Sequence, residues 1–119
     1  MKQNKTLVSI LIINYNNAKY LKRAIRSCLQ QTYNNVEILI FDDKSKDNSA
    51  SVLRKFSKNK KIKIYFNLRT KKNIAAFDAR NGYYYLFNKS KGDIICLLDS
   101  DDFFHKKKIL EIINFFNKN

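Results

Sequence analysis

The sequence predicts an α/β fold, a mostly parallel sheet with helices on both faces. Three observations carry that reading. Apolar, β-branched runs alternate along the chain with segments whose apolar residues recur at helical spacing. Several of those runs are continuous rather than alternating, as in strands covered on both faces. Polar clusters follow the first, second and fourth runs, the places where open α/β sheets bind ligands.

Each element can be read in order. Leu7 to Ile13 is a continuous apolar run and reads as a buried strand. Asn17 stands where a helix cap belongs, ahead of a helix with Leu21, Ala24, Ile25, Cys28 and Leu29 on one face. Lys22, Arg23, Arg26 and Gln30 fall on its other face. Val36 to Phe41 is the second strand, followed by the loop DDKSKDNS and a short helix with Val52, Leu53 and Phe56 inward. Ile62 to Phe66 alternates with a lysine and reads as a third, half-exposed strand. Ile74 to Phe87 is expected to be helical, against the weak helix preference of Tyr83, Tyr84, Tyr85 and Phe87. Gly92 breaks the chain before a fourth strand, Ile94 to Leu98, and Ile109, Ile112, Ile113 and Phe116 mark a last helix.

Composition bounds the rest. A length of 119 residues allows one domain at most, spanning 1–119. A hydrophobic fraction of 45% excludes a disordered chain. The aromatic residues are read as sitting mostly at core spacing. A formal charge of +14 implies an anionic partner without choosing among nucleotide, nucleic acid and acidic lipid. Cys28 and Cys96 lack zinc-ligand spacing and read as buried free thiols of a reducing compartment. The apolar run after the basic N-terminus ends in Asn14-Tyr15-Asn16-Asn17 with no small-residue cleavage site, unlike a secretory leader. No apolar stretch approaches the ~18 residues of a membrane span. The expected location is the cytoplasm, with peripheral contact at the inner face of the membrane as an option.

The acidic residues are segregated. Of ten, Asp42, Asp43, Asp47, Asp99, Asp101 and Asp102 lie in two clusters, each at the end of a predicted strand. Carboxylates gathered at one rim repel each other unless cations or donors sit among them. Parallel strands would bring Asn14–Asn16, Asp42–Asp43 and Asp99–Asp102 to the same rim, which suggests a metal and phosphate site. A carboxylate with phosphate oxygens and waters suits Mg²⁺ or Mn²⁺. His105 reads as a surface residue at a helix start, and Asp102 either supports the site from behind or caps the last helix.

VSILIINYN, SCLQQTY, VEILIFDDKSKDNS and GDIICLLDSDD, in this order, resemble the N-terminal half of glycosyltransferase family 2, from about Val8 to Ile113. That resemblance implies the GT-A nucleotide-diphospho-sugar transferase fold and metal-dependent, inverting transfer from a nucleotide sugar, expected to be UDP-linked. The acceptor implied is a hydroxyl of a glycan or a lipid-linked molecule. By the family's motifs, Tyr15 would stack on the nucleobase, with the Ile13 and Asn14 backbone nearby. Asp43 would accept a hydrogen bond from the uracil ring, Asp99 would meet the ribose or diphosphate, and Asp101 would bind the metal. Arg80, in Ala79-Arg80-Asn81, would contact phosphate or base, although Asn81 stands eleven residues before Gly92, further than in the family's usual pattern. Two other departures are Ile13-Asn14 where the family carries Pro-Thr, and Lys44 where it carries glycine. The family's general base falls after the acidic motif and has no counterpart before Asn119, so the catalytic residue is unknown. The chain is therefore expected to be the nucleotide-binding part, truncated before the acceptor-binding part. It would bind donor without transferring sugar, and its open sheet edge would favour self-association.

Two rival readings are weaker. A phosphatase with an Asp-x-Asp nucleophile pair would need Thr or Val two positions after the second Asp, which DSDDF lacks. A basic module without catalysis, binding nucleic acid or an anionic membrane, fits the lysines at 58–63, 69–72 and 106–108, but no nucleic-acid motif accompanies them and no nucleic-acid partner is expected.

Overall fold

Four strands and four helices alternate through the computed structural model, which describes residues 6–67 and 79–118. They are β1 (Val8–Asn14), α1 (Ala18–Leu29), β2 (Val36–Asp42), α2 (Ser49–Phe56), β3 (Ile62–Phe66), α3 (Ala79–Lys89), β4 (Ile94–Asp99) and α4 (Lys108–Asn117). The strands form one sheet in the order β3-β2-β1-β4, and every pair is parallel. The chain steps outward from β1 to β3 and then crosses back to the far side of β1. That reversal makes the β1/β4 boundary the topological switch point.

Side-chain alternation divides the core. On one face Val8, Ile10, Ile12, Val36, Ile38, Ile40, Cys96 and Leu98 meet Leu21, Ala24, Ile25 and Cys28 of α1, Leu53 of α2, and Ile109 and Ile113 of α4. On the other face Leu11, Leu39 and Phe41 meet Leu86 of α3. Helices on both faces explain why β1 and β2 are apolar at consecutive positions rather than at every second one. Since α1 and α2 cover one face and α3 the other while the strand order reverses, all three crossovers share one hand. Burying Leu21 and Ile25 completely contributes about 1.5–3 kcal/mol each, which holds α1 on the sheet.

Several expectations are refined here. Asn17 occupies the N-cap position of α1, but its side chain makes no capping bond. Its Nδ2 donates to Ser100 Oγ at 2.9 Å, and Asp47 Oδ2, from the β2–α2 loop, accepts the Ala18 N–H at 3.0 Å instead. A tertiary contact has taken the local cap's place. Residues 74–78 of the expected third helix lie outside the described residues; α3 runs from Ala79 to Lys89. Its tyrosines are accommodated because Tyr85 packs on Phe41 at 5.2 Å and on Tyr65 at 5.7 Å between ring centroids. Sheet contacts outweigh helix preference there.

The expectation that aromatic residues sit mostly in the core is overturned. Tyr33 and Phe41 are buried, whereas Tyr15, Tyr20, Phe66, Tyr84, Tyr85, Phe87, Phe103, Phe115 and Phe116 are exposed. The sheet is narrow and its β4 side carries no further strand among the described residues. Of the apolar stripe of α4, Ile109 and Ile113 are therefore buried, while Phe116 is exposed. Cys28 and Cys96 are buried free thiols as expected, and burial pushes the Cys28 thiol up to about 12.

A polar network closes the opposite end of the sheet. Glu37, almost fully buried, accepts from Ser9 Oγ at 2.6 Å, from the Lys91 N–H at 2.7 Å and from Lys63 Nζ at 3.0 Å. Burial alone would raise its pKa, but these three donors together hold the carboxyl below its ordinary value. Ser9 Oγ in turn accepts the Gly92 N–H at 2.8 Å. Gly92 is needed for that approach, since a Cβ there would stand 2.3 Å from Ser9 Oγ and 2.7 Å from the Ser9 backbone nitrogen.

Candidate functional site at the carboxyl rim

The strand ends are level. Asn14 pairs with Asp42 across β1 and β2, Ile13 with Asp99 across β1 and β4, and Asp42 with Phe66 across β2 and β3. The three polar clusters singled out in the sequence therefore share one rim. The acids of β2 and β4 flank β1, two strand spacings apart, roughly 10 Å.

The pleat separates Asp42 from Asp43. Asp42 points with Ile40 toward the α1 side and is buried, accepting from Asn14 Nδ2 at 2.8 Å, Ser45 Oγ at 2.7 Å and the Ser45 N–H at 3.1 Å. It is a brace for the β2–α2 loop. Asp43 is half-buried, and its Oδ1 accepts from Asn67 Nδ2 at 2.7 Å, which fixes the carboxylate beside the end of β3. Of the adjacent acids, only Asp43 has a side chain open to a ligand.

Asn14 is fully buried, so its side chain is unavailable to a ligand. Its carbonyl oxygen accepts the Asp43 N–H at 2.9 Å, and its Oδ1 has no partner among the described residues. Ile13 is half-buried on the α3 side, and Tyr15 stands out from the rim with 53% of its surface exposed. Asn16 and Lys44 both adopt left-handed φ, at 52° and 58°. Asn16 tolerates this conformation because its Oδ1 accepts the Lys46 N–H at 2.7 Å, tying the β1 and β2 loops together. Lys44 stands in the same left-handed region at the position where the family carries glycine.

On β4, Asp99 is exposed and accepts from the Tyr83 hydroxyl at 3.1 Å. Burial first, and then the Asp99 charge, push the Tyr83 phenol well above its ordinary pKa, so it remains a donor. Ser100 is buried and receives Asn17, whereas Asp101 and Asp102 are exposed. The Asp101 carbonyl accepts from Arg23 Nη2 at 3.0 Å, anchoring the acidic turn to α1. Asp102 Oδ1 accepts the Phe103 N–H at 2.9 Å; α4 begins only at Lys108, so Asp102 does not cap it. His105 is exposed, with Nε2 3.3 Å from Glu111. A cleft of about 490 Å³ opens beside β4, lined by Tyr83, Leu97, Asp99, Asp102, Phe103 and Lys108 among others. Tyr15, Asp43 and Asp101 stand outside that cleft. The Arg80 side chain lies outside the described residues.

Among the described residues no three His, Cys, Asp or Glu side chains converge on one point. The available donors are the exposed, hard carboxylates of Asp99, Asp101 and Asp102. They fit a divalent ion shared with phosphate oxygens and water, and do not fit an ion held by protein alone.

Sequence reasoning missed Asn67, Ser45, Tyr83 and Arg23. Asn67 was within reach, because it follows a predicted strand just as Asn14 and Asp42–Asp43 do. Ser45 carried a signal as well, standing three residues after Asp42 where a side chain can close a local turn. Tyr83 and Arg23 reach the rim only through tertiary packing and left no local mark.

The architecture defines a doubly wound parallel α/β protein with an acidic, tyrosine-flanked crevice at its switch point. The sequence profile of Glycosyl transferase family 2 matches residues 9–119, and the chain belongs to that family. An uncharacterized glycosyltransferase of Haemophilus influenzae is 38% identical over 117 residues, covering 98% of this chain and 44% of that protein. The fold is GT-A. Staphylococcus aureus TarS 1–349, solved in complex with UDP, superposes with a TM-score of 0.78 at 18% identity, over 93% of this chain and 32% of that one. The mannosyltransferase PcManGT of Pyrobaculum calidifontis, solved with GDP-Man and Mn²⁺, gives a TM-score of 0.72 at 16% identity, over 87% of this chain and 30% of that one. The chain thus spans less than half the length of these relatives.

Proposed function

We propose that this chain binds a nucleotide-diphosphate sugar, UDP-linked, at the carboxyl rim of β1, β2 and β4. The bound sugar would be transferred to an acceptor hydroxyl on a glycan or lipid-linked molecule. The observation that carries the reading is the level parallel register, which aligns Ile13–Tyr15, Asp43 and Asp99 at the switch point of a family 2 chain.

In this reading Tyr15, exposed at the end of β1, stacks on the base. Asp43, oriented by Asn67, accepts from the uracil N–H, and the Ile13–Asn14 backbone forms the floor between them. Asp99, oriented by the Tyr83 hydroxyl, meets the ribose or diphosphate, and Arg80 is retained as a phosphate or base contact. Asp101 would hold Mn²⁺ or Mg²⁺, a hard cation that offsets charge developing on a diphosphate leaving group. The Tyr83 hydroxyl supports its part, because a neutral donor 3.1 Å from Asp99 Oδ1 orients the carboxylate without adding negative charge near phosphate. No described side chain is assigned as the base that takes the acceptor's proton.

A thermal-shift panel of UDP, GDP and CDP, each with and without Mn²⁺, tests the reading. A ligand at about 100 times its Kd stabilises the folded state by about 2.7 kcal/mol. UDP with Mn²⁺ is expected to raise the midpoint most; no shift with any nucleotide would refute the proposal.

A further inference from the structure

Away from the rim, α1 presents Lys19, Lys22, Arg23 and Arg26 at helical spacing on the side turned from the core. The segment before α4 brings Phe103 and Lys106 alongside. Together they enclose an open groove of about 570 Å³ whose walls carry these five cations and no carboxylate. Among the described residues none of the five is ion-paired. Two rings project from the same face, Tyr20 with 38% and Phe103 with 52% of its surface exposed. The Arg23 guanidinium lies 4.5 Å from the Phe103 centroid and 5.5 Å from that of Tyr20, and Lys19 Nζ is also 5.5 Å from Tyr20.

We propose that this face rests on an anionic phospholipid bilayer, with the cations against headgroup phosphates and Phe103 and Tyr20 in the interfacial layer. A solvated basic helix would explain the charge alone; here two of the exposed rings, Tyr20 and Phe103, also stand among the cations. Interfacial binding uses both, since buried apolar area and attraction to anionic lipid add. Nucleic acid fits less well. The α1 helix lies flat on the sheet instead of projecting as a groove-reading helix does. The acidic turn is tied to this surface through Arg23 and the Asp101 carbonyl. Docking would therefore set the rim beside the headgroups. The surface shares Phe103 with the cleft beside β4, but vesicle binding is read without nucleotide or metal, so its test does not depend on how the donor site is read.

Vesicle co-sedimentation of the 119-residue chain tests the proposal, comparing phosphatidylglycerol–phosphatidylcholine vesicles with phosphatidylcholine alone. Each cation near an anionic surface contributes about a five-fold factor, so Lys19→Gln/Lys22→Gln/Arg26→Gln should weaken partitioning on the order of 100-fold. Lys55→Gln/Lys58→Gln/Lys60→Gln removes the same charge from exposed positions elsewhere and should weaken it only a few-fold. Phe103→Ser should cost roughly ten-fold, and the loss should persist in high salt because burial of the ring is not screened. The proposal is overturned by equal binding to uncharged vesicles, by equal losses in the two triple variants, or by an unaffected Phe103→Ser. It is also overturned if a single-stranded RNA oligonucleotide binds more tightly than the vesicles through the same residues.

Discussion

Gly92→Ala probes the packing on which the level rim depends. Gly92 lies at the start of the β4 segment, and its N–H donates to Ser9 Oγ, which itself donates to the buried Glu37 carboxylate. A methyl group at position 92 would meet Ser9 Oγ at 2.3 Å, the Ser9 backbone nitrogen at 2.7 Å and the Leu7 carbonyl oxygen at 3.0 Å. The hydroxyl could rotate away, but the two backbone atoms belong to β1 and its lead-in and are pinned by the sheet. Relief therefore requires β4 to shift from β1. Overpacking of this kind costs about 1–3 kcal/mol. Breaking the Ser9 bond to a buried carboxylate adds roughly 1.5–3 kcal/mol. The sum, about 2.5–6 kcal/mol, is a large part of the 5–15 kcal/mol typical of a whole domain. Urea unfolding followed by circular dichroism would show it as a midpoint lowered by about 1.2 M or more, at a slope of about 2 kcal/mol per M. Ser9→Ala separates the two contributions, because it removes the hydrogen bond without adding volume and should fall between the two proteins. A loss below about 1 kcal/mol in Gly92→Ala would refute the claimed contact, since overpacking against backbone costs at least that much.

Other consequences follow from the same geometry. Lys44→Gly should raise the thermal midpoint by a few degrees, because relief of left-handed strain of about 1–2 kcal/mol exceeds the flexibility cost of glycine of about 0.5–1 kcal/mol; a lowered midpoint in calorimetry would contradict it. Asp42→Asn should destabilise the fold by about 1–3 kcal/mol while Asp43→Asn leaves stability almost unchanged, and only Asp43→Asn should reduce a preference for uridine over cytidine nucleotides in competition binding. Glu37 has a depressed folded pKa, so its contribution is complete above its unfolded value of about 4.3 and disappears as pH falls through the lower folded value. The stability difference between the unmodified protein and Glu37→Gln, measured by urea titration, should accordingly be constant near neutrality and shrink below about pH 4.

The parts of this fold that were legible in the sequence are those with strong local periodicity. β1, β2 and β4 were marked by short, mostly apolar runs, and α1 by the spacing of Leu21, Ala24, Ile25 and Cys28, all of which are buried. The shared rim followed from parallel order alone. The local cap of α1 was not legible, because Asp47 reaches it from another loop and frees Asn17 for Ser100. The exposed rings of Phe103 and Phe116 also escaped notice, since helical or core-like spacing says nothing about whether a neighbour exists to cover them. The roles of Asp42 and Asp43 depend on the pleat: adjacent residues of one type face opposite environments, and the buried one follows the phase of Ile38 and Ile40.

The central claim concerns Asp101 and the rim beside it. Calorimetric titration of UDP, with and without Mn²⁺, into the unmodified protein and Asp101→Ala tests it most directly, with urea midpoints confirming that both are folded. The account predicts tighter UDP binding with Mn²⁺ in the unmodified protein, and loss of that metal-dependent part alone in the variant. Equal UDP affinity with and without metal in the unmodified protein would contradict it.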